Sequence, residues 1–261
     1  MDAREREAAL RDRIERYTAP MAWRRDYADW VEKRVRQEDC GQEPRLRDLR
    51  RAGIEAGHGA VLEIGSGMGG FVVAARRAGW SVLAVEPNPD YLAITRLRAA
   101  RHDLEILGLR ASGASIPLPD ESVAAVCMFD VLEHVDDPVP VLREARRVLR
   151  PEGRLFASII NRFAPVDPHY HMFGISYLPR SWADRVVARR GRGKEGGPYL
   201  DRQKLSELHT YTFGGFVRLA RRLGLEVRDL RATRLPIWLR PLNAIHRALL
   251  APAFHVEARR R

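Results

Sequence analysis

The chain has 261 residues, 45% of them hydrophobic, which is enough for one globular domain of about 200 residues with additions. There is no apolar run of about 18 residues, so we expect no membrane span. The charged N-terminus has no apolar stretch behind it, so we expect no secretory signal and a cytoplasmic location. The net charge of +11 comes mostly from arginine, and only Cys40 and Cys127 occur, which excludes a disulfide framework.

Residues 1–57 are predicted to form a helical extension. Apolar residues at near-helical spacing predict a helix over 1–17, a second helix starting near Pro20, and a third over about 43–56. The second helix carries the aromatic residues Trp23, Tyr27 and Trp30. They either pack on the main domain or form a lid over a substrate pocket, and both interpretations stay open.

The main domain, residues 58–261, begins with the most informative stretch of the chain. Val61 to Ile64 predict a buried strand, and the run Gly65-Ser66-Gly67-Met68-Gly69-Gly70 predicts a turn that opens a helix from about Gly69 to Ala78. Glycines allow positive φ and close approach of a ligand, and the helix N-terminus presents free N–H groups to it. The spacing fits a dinucleotide fingerprint and an S-adenosylmethionine turn equally.

Glu63 distinguishes between these two ligands. A carboxylate two residues before the first glycine repels a pyrophosphate, whereas the sulfonium of S-adenosylmethionine tolerates it. With these residues the sequence resembles the class I S-adenosylmethionine-dependent methyltransferases, well over 58–160 and loosely over 211–259. The resemblance implies a Rossmann-like, mostly parallel sheet of seven strands with helices on both faces. It also implies S-adenosyl-L-methionine as cofactor and in-line attack on its methyl group.

The second predicted strand, 81–85, ends in Glu86, which lies 21 residues after Gly65. That spacing places a carboxylate at the tip of the neighbouring strand, where it accepts ribose hydroxyls. A third strand is predicted over 104–109. In the loop after it, Ser112 stands where the family usually has an acid for the adenine amino group, and backbone groups of Gly113 and Ala114 supply the rest.

The fourth predicted strand, 123–129, leads into Asp130-Val131-Leu132-Glu133-His134, which resembles the family's loop after this strand. The resemblance implies that Asp130, Glu133 and His134 face the transferred methyl group or its acceptor. The full set of residues that we expect to bind the cofactor is Glu63, Gly65, Ser66, Gly67, Met68, Gly69, Glu86, Pro87, Ser112, Gly113, Ala114, Phe129 and Asp130.

A helix over 138–149 and a fifth strand over 154–160 precede an insertion, residues 161–210, on the acceptor side of the site. His169 and His171 lie two residues apart, which on a strand puts both on one face. No third ligand has a recognisable spacing, so no metal is expected. The candidate catalytic residues are His134 and His169, each as a general base for an alcohol acceptor.

The C-terminal part is predicted to hold a helix from Tyr211 to Leu223 and a sixth strand over 225–230. Residues 253–258 resemble the family's last, antiparallel strand. The apolar and basic stretch 237–250 is interpreted as core or dimer packing, with pocket extension or peripheral contact with a membrane as alternatives. The oligomeric state stays open, as does the role of the basic loop at 189–197.

The function expected from the sequence is methylation of an oxygen or nitrogen atom of a small molecule, glycan or secondary metabolite. The positive charge suggests RNA as an alternative acceptor, but no nucleic-acid-binding element stands out, so nucleic acid is disfavoured. A second alternative is a non-catalytic module that uses the same fold for binding, suggested by Ser112 and Ala124 at positions where the family usually has acids.

Overall fold

The computed structural model describes residues 2–22, 25–190, 203–231, 236, 238, 241–243, 246 and 250–261. The chain divides into two compact units. Unit 1 comprises residues 1–128 and 143–154, and unit 2 comprises residues 129–142 and 155–261. The domain boundaries expected from the sequence, at 57/58 with an insertion over 161–210, stay predictions.

Seven strands form one sheet in the order β3-β2-β1-β4-β5-β7-β6. β1 pairs in parallel with β2 and β4, and β2 pairs in parallel with β3, while β7 is antiparallel to both β5 and β6. The predicted sheet of seven mostly parallel strands is therefore confirmed. The strands are β1 Ala60–Ile64, β2 Ser81–Val85, β3 Leu107–Leu109, β4 Val123–Met128, β5 Leu149–Ile160, β6 Leu225–Asp229 and β7 Ala253–Arg260.

The strand β4 is apolar along its whole length. All six residues of β4 are buried, as expected for a parallel strand inside a sheet. The third strand is shorter than predicted, since only 107–109 of the expected 104–109 pair with β2. The helices are α1 Ala3–Thr18, α2 Tyr27–Val35, α3 Glu43–Arg51, α4 Gly70–Arg77, α5 Pro89–Ala100, α6 Pro138–Val148, α7 Arg180–Arg189 and α8 Phe213–Arg222.

Two helix boundaries differ from the predictions. The second helix does not start near Pro20, which lies in a short 3-10 turn, and α2 begins at Tyr27 instead. The third helix ends at Arg51 rather than near residue 56. Gly53 has a φ of 77°, its N–H donates to the carbonyl of Arg50, and the N–H of Ile54 donates to that of Leu49. This hydrogen-bond pair is a Schellman motif, which terminates the helix.

The N-terminal helices pack within unit 1. Leu10 and Ile14 of α1 are fully buried against Val31 and Val35 of α2 and Ile94 of α5. Tyr27 and Trp30 pack against the same cluster, as one of the two interpretations of these aromatics expected. Trp23, the third of them, lies outside the described residues.

Part of the insertion in unit 2 has a small hydrophobic core of its own. This part of the insertion contains α7. Isolated β-bridges pair Asn161 with Tyr211 and Val166 with Phe173. Such a core gives the segment a fixed shape, because packed apolar side chains hold their neighbours in place. Its buried members are Tyr170, Met172, Ile175, Ala183, Val187, Leu205 and Leu208.

Some predicted features lie wholly or partly outside the described residues. The basic loop at 189–197 is described only as far as residue 190, and most of the stretch 237–250 is not described. Within the described part of the chain, no helix has both the length and the apolar composition needed to cross a bilayer.

Candidate active site

The glycine-rich turn after β1 needs glycine at three alternate positions. Gly65, Gly67 and Gly69 have φ values of 68°, 52° and 80°, in the left-handed region that side chains with a Cβ rarely adopt. The N–H of Gly69 donates to the carbonyl of Ser66 over 2.9 Å and closes the turn, and α4 starts at Gly70. The predicted strand, turn and helix therefore follow one another as expected, within a residue at each boundary.

Glu86 joins the tip of β2 to this turn. One carboxylate oxygen accepts the N–H of Gly67 over 2.9 Å, and the other accepts the N–H of Asn88 over 3.0 Å. The side chain is buried, and its own N–H donates to the carbonyl of Leu109 at the end of β3. Each carboxylate oxygen has two lone pairs, so a carboxylate at this position is able to accept hydrogen bonds from several donors.

The turn has features that fit a polar ligand without phosphate. The hydroxyl of Ser66 is buried and has no hydrogen-bond partner among the described residues. A Cβ placed on Gly67 would meet nothing within 4 Å, so space adjoins the turn there. Glu63, at the end of β1, is also buried, and a buried carboxylate at this place opposes a pyrophosphate.

Other predicted cofactor residues of unit 1 are placed less directly. The side chain of Met68 packs in the cluster with α1 and α2, so only its backbone belongs to the turn surface. Pro87 is exposed beside Glu86. After β3, the exposed hydroxyl of Ser112 accepts the N–H of Ala114 over 3.2 Å, so Ser112, Gly113 and Ala114 form a small turn.

In unit 2, the segment after β4 begins with a strained residue. Asp130 has a φ of 57°, and its N–H donates to the hydroxyl of Ser158 over 2.6 Å, while that hydroxyl donates to the carboxylate of Asp130 over 2.8 Å. Phe129, just before it, is half-buried. A non-glycine residue in this region is held there only by its surroundings, and such residues cluster at functional sites.

The structure brings His134 and His169 together, although 35 residues separate them in sequence. Their Nε2 atoms are 3.4 Å apart and their rings meet edge to face. His134 is also held by Gln203, whose Oε1 lies 2.8 Å from Nδ1 of the imidazole and whose Nε2 donates to the carbonyl of His134. Gln203 had no sequence signal, because nothing local to it indicates a partner 69 residues away.

Glu133 lies beside the histidine pair. Its carboxylate oxygen is 4.0 Å from Nε2 of His134, and the side chain is only 1% exposed. Burial, with a contribution from the negative charge of Asp130, raises the pKa of Glu133 to about 8. Burial and the neighbouring His134 lower the pKa of His169 below its usual value. Both groups are thus held against charging.

The expectation that His169 and His171 share one face of a strand is wrong. Both lie in a turn organised by Asp167, whose carboxylate accepts the N–H groups of His169 and Tyr170 and whose carbonyl accepts that of His171. His171 has a φ of 51° and is exposed, so its ring is not part of the cluster with His134.

Comparison with known proteins shows that part of the chain is similar to methyltransferases. A family model described as "Methyltransferase domain" matches residues 62–157. The ubiquinone biosynthesis O-methyltransferase of Aeromonas salmonicida is 35% identical over 104 residues, 39% of this chain and 43% of that protein. The demethylmenaquinone methyltransferase of Tropheryma whipplei is 34% identical over 131 residues, 49% of this chain and 53% of that protein. The chain therefore spans about half the length of these curated relatives.

The fold has solved counterparts as well. The crystal structure of an S-adenosylmethionine-dependent methyltransferase from Mesorhizobium loti superposes with a TM-score of 0.55 at 23% identity, over 85% of this chain and all of that one. At this identity the likeness concerns the fold alone.

Proposed function

We propose that the chain, whose residues 62–157 match the methyltransferase domain model, is a class I S-adenosylmethionine-dependent methyltransferase that transfers a methyl group to a hydroxyl oxygen of a small molecule. The observation that carries the donor half of this proposal is the hydrogen bond between Gly67 and Glu86, which unites a glycine turn with a strand-tip carboxylate. The names of the two curated relatives support acceptors of the kind found in quinone biosynthesis.

S-adenosyl-L-methionine, when bound, supplies an electrophilic methyl group on its sulfonium. The residues proposed to hold it in unit 1 are the turn from Gly65 to Gly69 and Glu86. Ser66 offers an unused hydroxyl, and Glu86 accepts hydroxyl groups of the ribose. Glu63 adds a negative charge that favours a cationic ligand over a phosphate. The loop at Ser112 to Ala114 is proposed to line the adenine, and the assignment of Phe129 and Asp130 to the cofactor site stays a prediction.

The residues proposed to handle the acceptor are His134 and His169 in unit 2. A hydroxyl is a poor nucleophile until its proton is accepted or its oxygen is polarised, so a methyltransferase of this type needs one group for that task. The paired imidazoles offer it, and the packed core of the insertion supports the segment that carries His169. Their role is to orient the acceptor oxygen and receive or redirect its proton.

The donor half is tested by titrating the full chain with S-adenosylhomocysteine and, separately, with NADH in a calorimeter. We expect saturable binding of the nucleoside and none of the dinucleotide. Glu86→Ala is expected to weaken the nucleoside affinity at least about tenfold, because a buried charge-assisted contact is lost. Tight NADH binding together with indifference to S-adenosylhomocysteine would refute the proposal.

The acceptor half is tested with His134→Ala and His169→Ala. Each variant is expected to lower turnover by about 10²-fold or more, typical of a lost acid–base or orienting group, with the affinity for S-adenosylhomocysteine unchanged. Activity is read by mass shift from labelled methyl donor against a panel of hydroxylated aromatic compounds and other metabolites. Full turnover in both variants would remove these residues from the mechanism.

A further inference from the structure

Glu133 is a buried carboxylate with no hydrogen-bond partner for either oxygen among the described residues. An unpaired carboxylate in such a place is costly, because it loses its hydration without compensation. A protein keeps such a group where something else supplies the missing partner. Oε1 of Glu133 lies 4.0 Å from Nε2 of His134.

His134 is fixed in the tautomer that leaves this Nε2 free to act as a ligand. The side-chain Nε2 of Gln203 donates to the backbone carbonyl of His134. This hydrogen bond orients the other amide atom, Oε1 of Gln203, toward the imidazole Nδ1 of His134 at 2.8 Å. An amide oxygen only accepts, so Nδ1 carries the proton and Nε2 carries a lone pair in the neutral ring. Metal-binding histidines are commonly held in this way, by donating the second N–H to an oxygen.

His169 brings the third ligand atom to the same place. Its Nε2 is 3.4 Å from Nε2 of His134, and the three ligand atoms of Glu133, His134 and His169 all lie within 4.8 Å of one another. Two nitrogens bound to a tetrahedral zinc ion at about 2.0–2.1 Å stand about 3.3–3.4 Å apart, so this pair already has the required separation. The carboxylate needs only a small inward movement.

The charges around the cluster also suit a cation. Asp130 and Asp167 interact electrostatically with His169, and Asp130 also with Glu133. Asp167 further anchors the backbone of His169 through the hydrogen bond to its N–H, which limits the freedom of that ligand.

We propose that Glu133, His134 and His169 bind one divalent transition-metal ion of the zinc or manganese class. Two imidazoles and one carboxylate are the donor set that such ions accept, whereas magnesium and calcium prefer an all-oxygen set. Three protein ligands leave a coordination position open. Resting on the proposed function, that position takes the acceptor's oxygen. The two imidazoles then hold the ion instead of accepting a proton, and the cation polarises the oxygen as a Lewis acid so that its proton is lost to solvent.

The test is calorimetry on the full chain after removal of metal with a chelator, in the absence of methyl donor and acceptor. Titration with Zn²⁺ and, separately, Mn²⁺ is expected to show one saturable site per chain, and Mg²⁺ is expected to bind far more weakly. Glu133→Gln, His134→Gln and His169→Gln are each expected to weaken the site at least about tenfold. His171→Asn, which changes a nearby exposed histidine and tolerates its left-handed φ, and Cys40→Ser, which removes the exposed thiol, are expected to bind as the wild type does.

A thermal melt of each metal-free variant checks that it folds. If Glu133→Gln, which changes a buried residue, does not fold, the metal affinity of His134→Gln provides the test, because His134 is partly exposed. Absence of saturable Zn²⁺ and Mn²⁺ binding, or wild-type affinity in all three ligand variants, would overturn the proposal and leave a simple hydrogen bond between the two imidazoles. S-adenosylhomocysteine is titrated into the same samples. If S-adenosylhomocysteine binds and the metal ions do not, only the metal site is refuted. If the metal ions bind and S-adenosylhomocysteine does not, only the proposed function is refuted.

Discussion

At the scale of single residues, the glycine turn shows two different reasons for the same residue type. Gly67 has open space where a Cβ would stand, so only its φ of 52° favours glycine. Gly69 has a φ of 80°, and a Cβ there would lie 2.5 Å from the hydroxyl of Thr95 and 2.8 Å from its Cβ. Thr95 is buried and donates to the carbonyl of Tyr91, so it is not free to move away.

Gly69→Ala is therefore expected to destabilise the protein more than Gly67→Ala. Gly67→Ala carries backbone strain alone, about 1 kcal/mol, while Gly69→Ala adds the steric conflict with Thr95 for a total of about 2–4 kcal/mol. Urea unfolding of both variants measures the difference, with Gly57→Ala as a control at another open glycine of positive φ. Equal losses at positions 67 and 69 would contradict the packing argument.

At the scale of elements, a buried ion pair ties α5 to the segment that joins α2 to α3. The guanidinium of Arg98, on α5, is fully buried and pairs with Glu38, which is equally buried. Arg98 also donates to the carbonyls of Val35 and Met68, and Arg101 and His102 reach the same carboxylate. Burial by itself would raise the pKa of Glu38. The positive groups around it, of which Arg98 has the largest effect, outweigh burial and hold the pKa of Glu38 at about 2.

This pair predicts a loss of stability in acid. Because the folded pKa of Glu38 lies below that of an unfolded glutamate, about 4.3, its contribution is complete above pH of about 4.3 and is lost as the pH falls toward 2. Glu38→Gln is expected to cost about 3 kcal/mol near neutral pH and much less near pH of about 3. Urea unfolding of variant and wild type at both pH values measures the difference. A cost independent of pH would show that the charge of Glu38 does not matter.

At the scale of the whole molecule, the net charge of +11 is the feature that keeps an RNA acceptor in view. Many of the arginines already have partners: Arg147 pairs with Asp120 and Glu144, and Arg259 pairs with Glu226. A positive surplus by itself concerns solubility and weak association more than recognition of a particular substrate.

The two acceptor classes respond differently to salt. A protein that neutralises several phosphates loses about 10³–10⁵ in affinity for nucleic acid between about 50 and about 200 mM salt, whereas binding of an uncharged small acceptor changes little. We expect labelled methyl groups to enter a small-molecule fraction at similar rates at both salt concentrations. Incorporation into RNA that disappears at the higher concentration would favour the alternative acceptor.

The sequence by itself determined what depends on near neighbours along the chain. The apolar run at 81–85, the glycines from 65 to 70 and the capping residue Asn88, which accepts the N–H of Asp90, act over a few residues, and the structure has them as expected. The mostly parallel sheet of seven strands was expected from the resemblance to the class I family rather than from these local patterns. Boundaries were less certain, because a motif such as the one at Gly53 depends on which carbonyls it reaches.

Only the tertiary structure decided which distant side chains meet. His134, His169 and Gln203 come from different segments, and Arg98 and Glu38 are 60 residues apart, so no periodicity or spacing connects them. The burial of Glu133 beside His134 was equally invisible, because a short polar run after a strand does not reveal which of its residues turns inward. Local sequence determines the preferred backbone conformation of each segment, whereas burial and long-range contacts depend on how the whole chain packs.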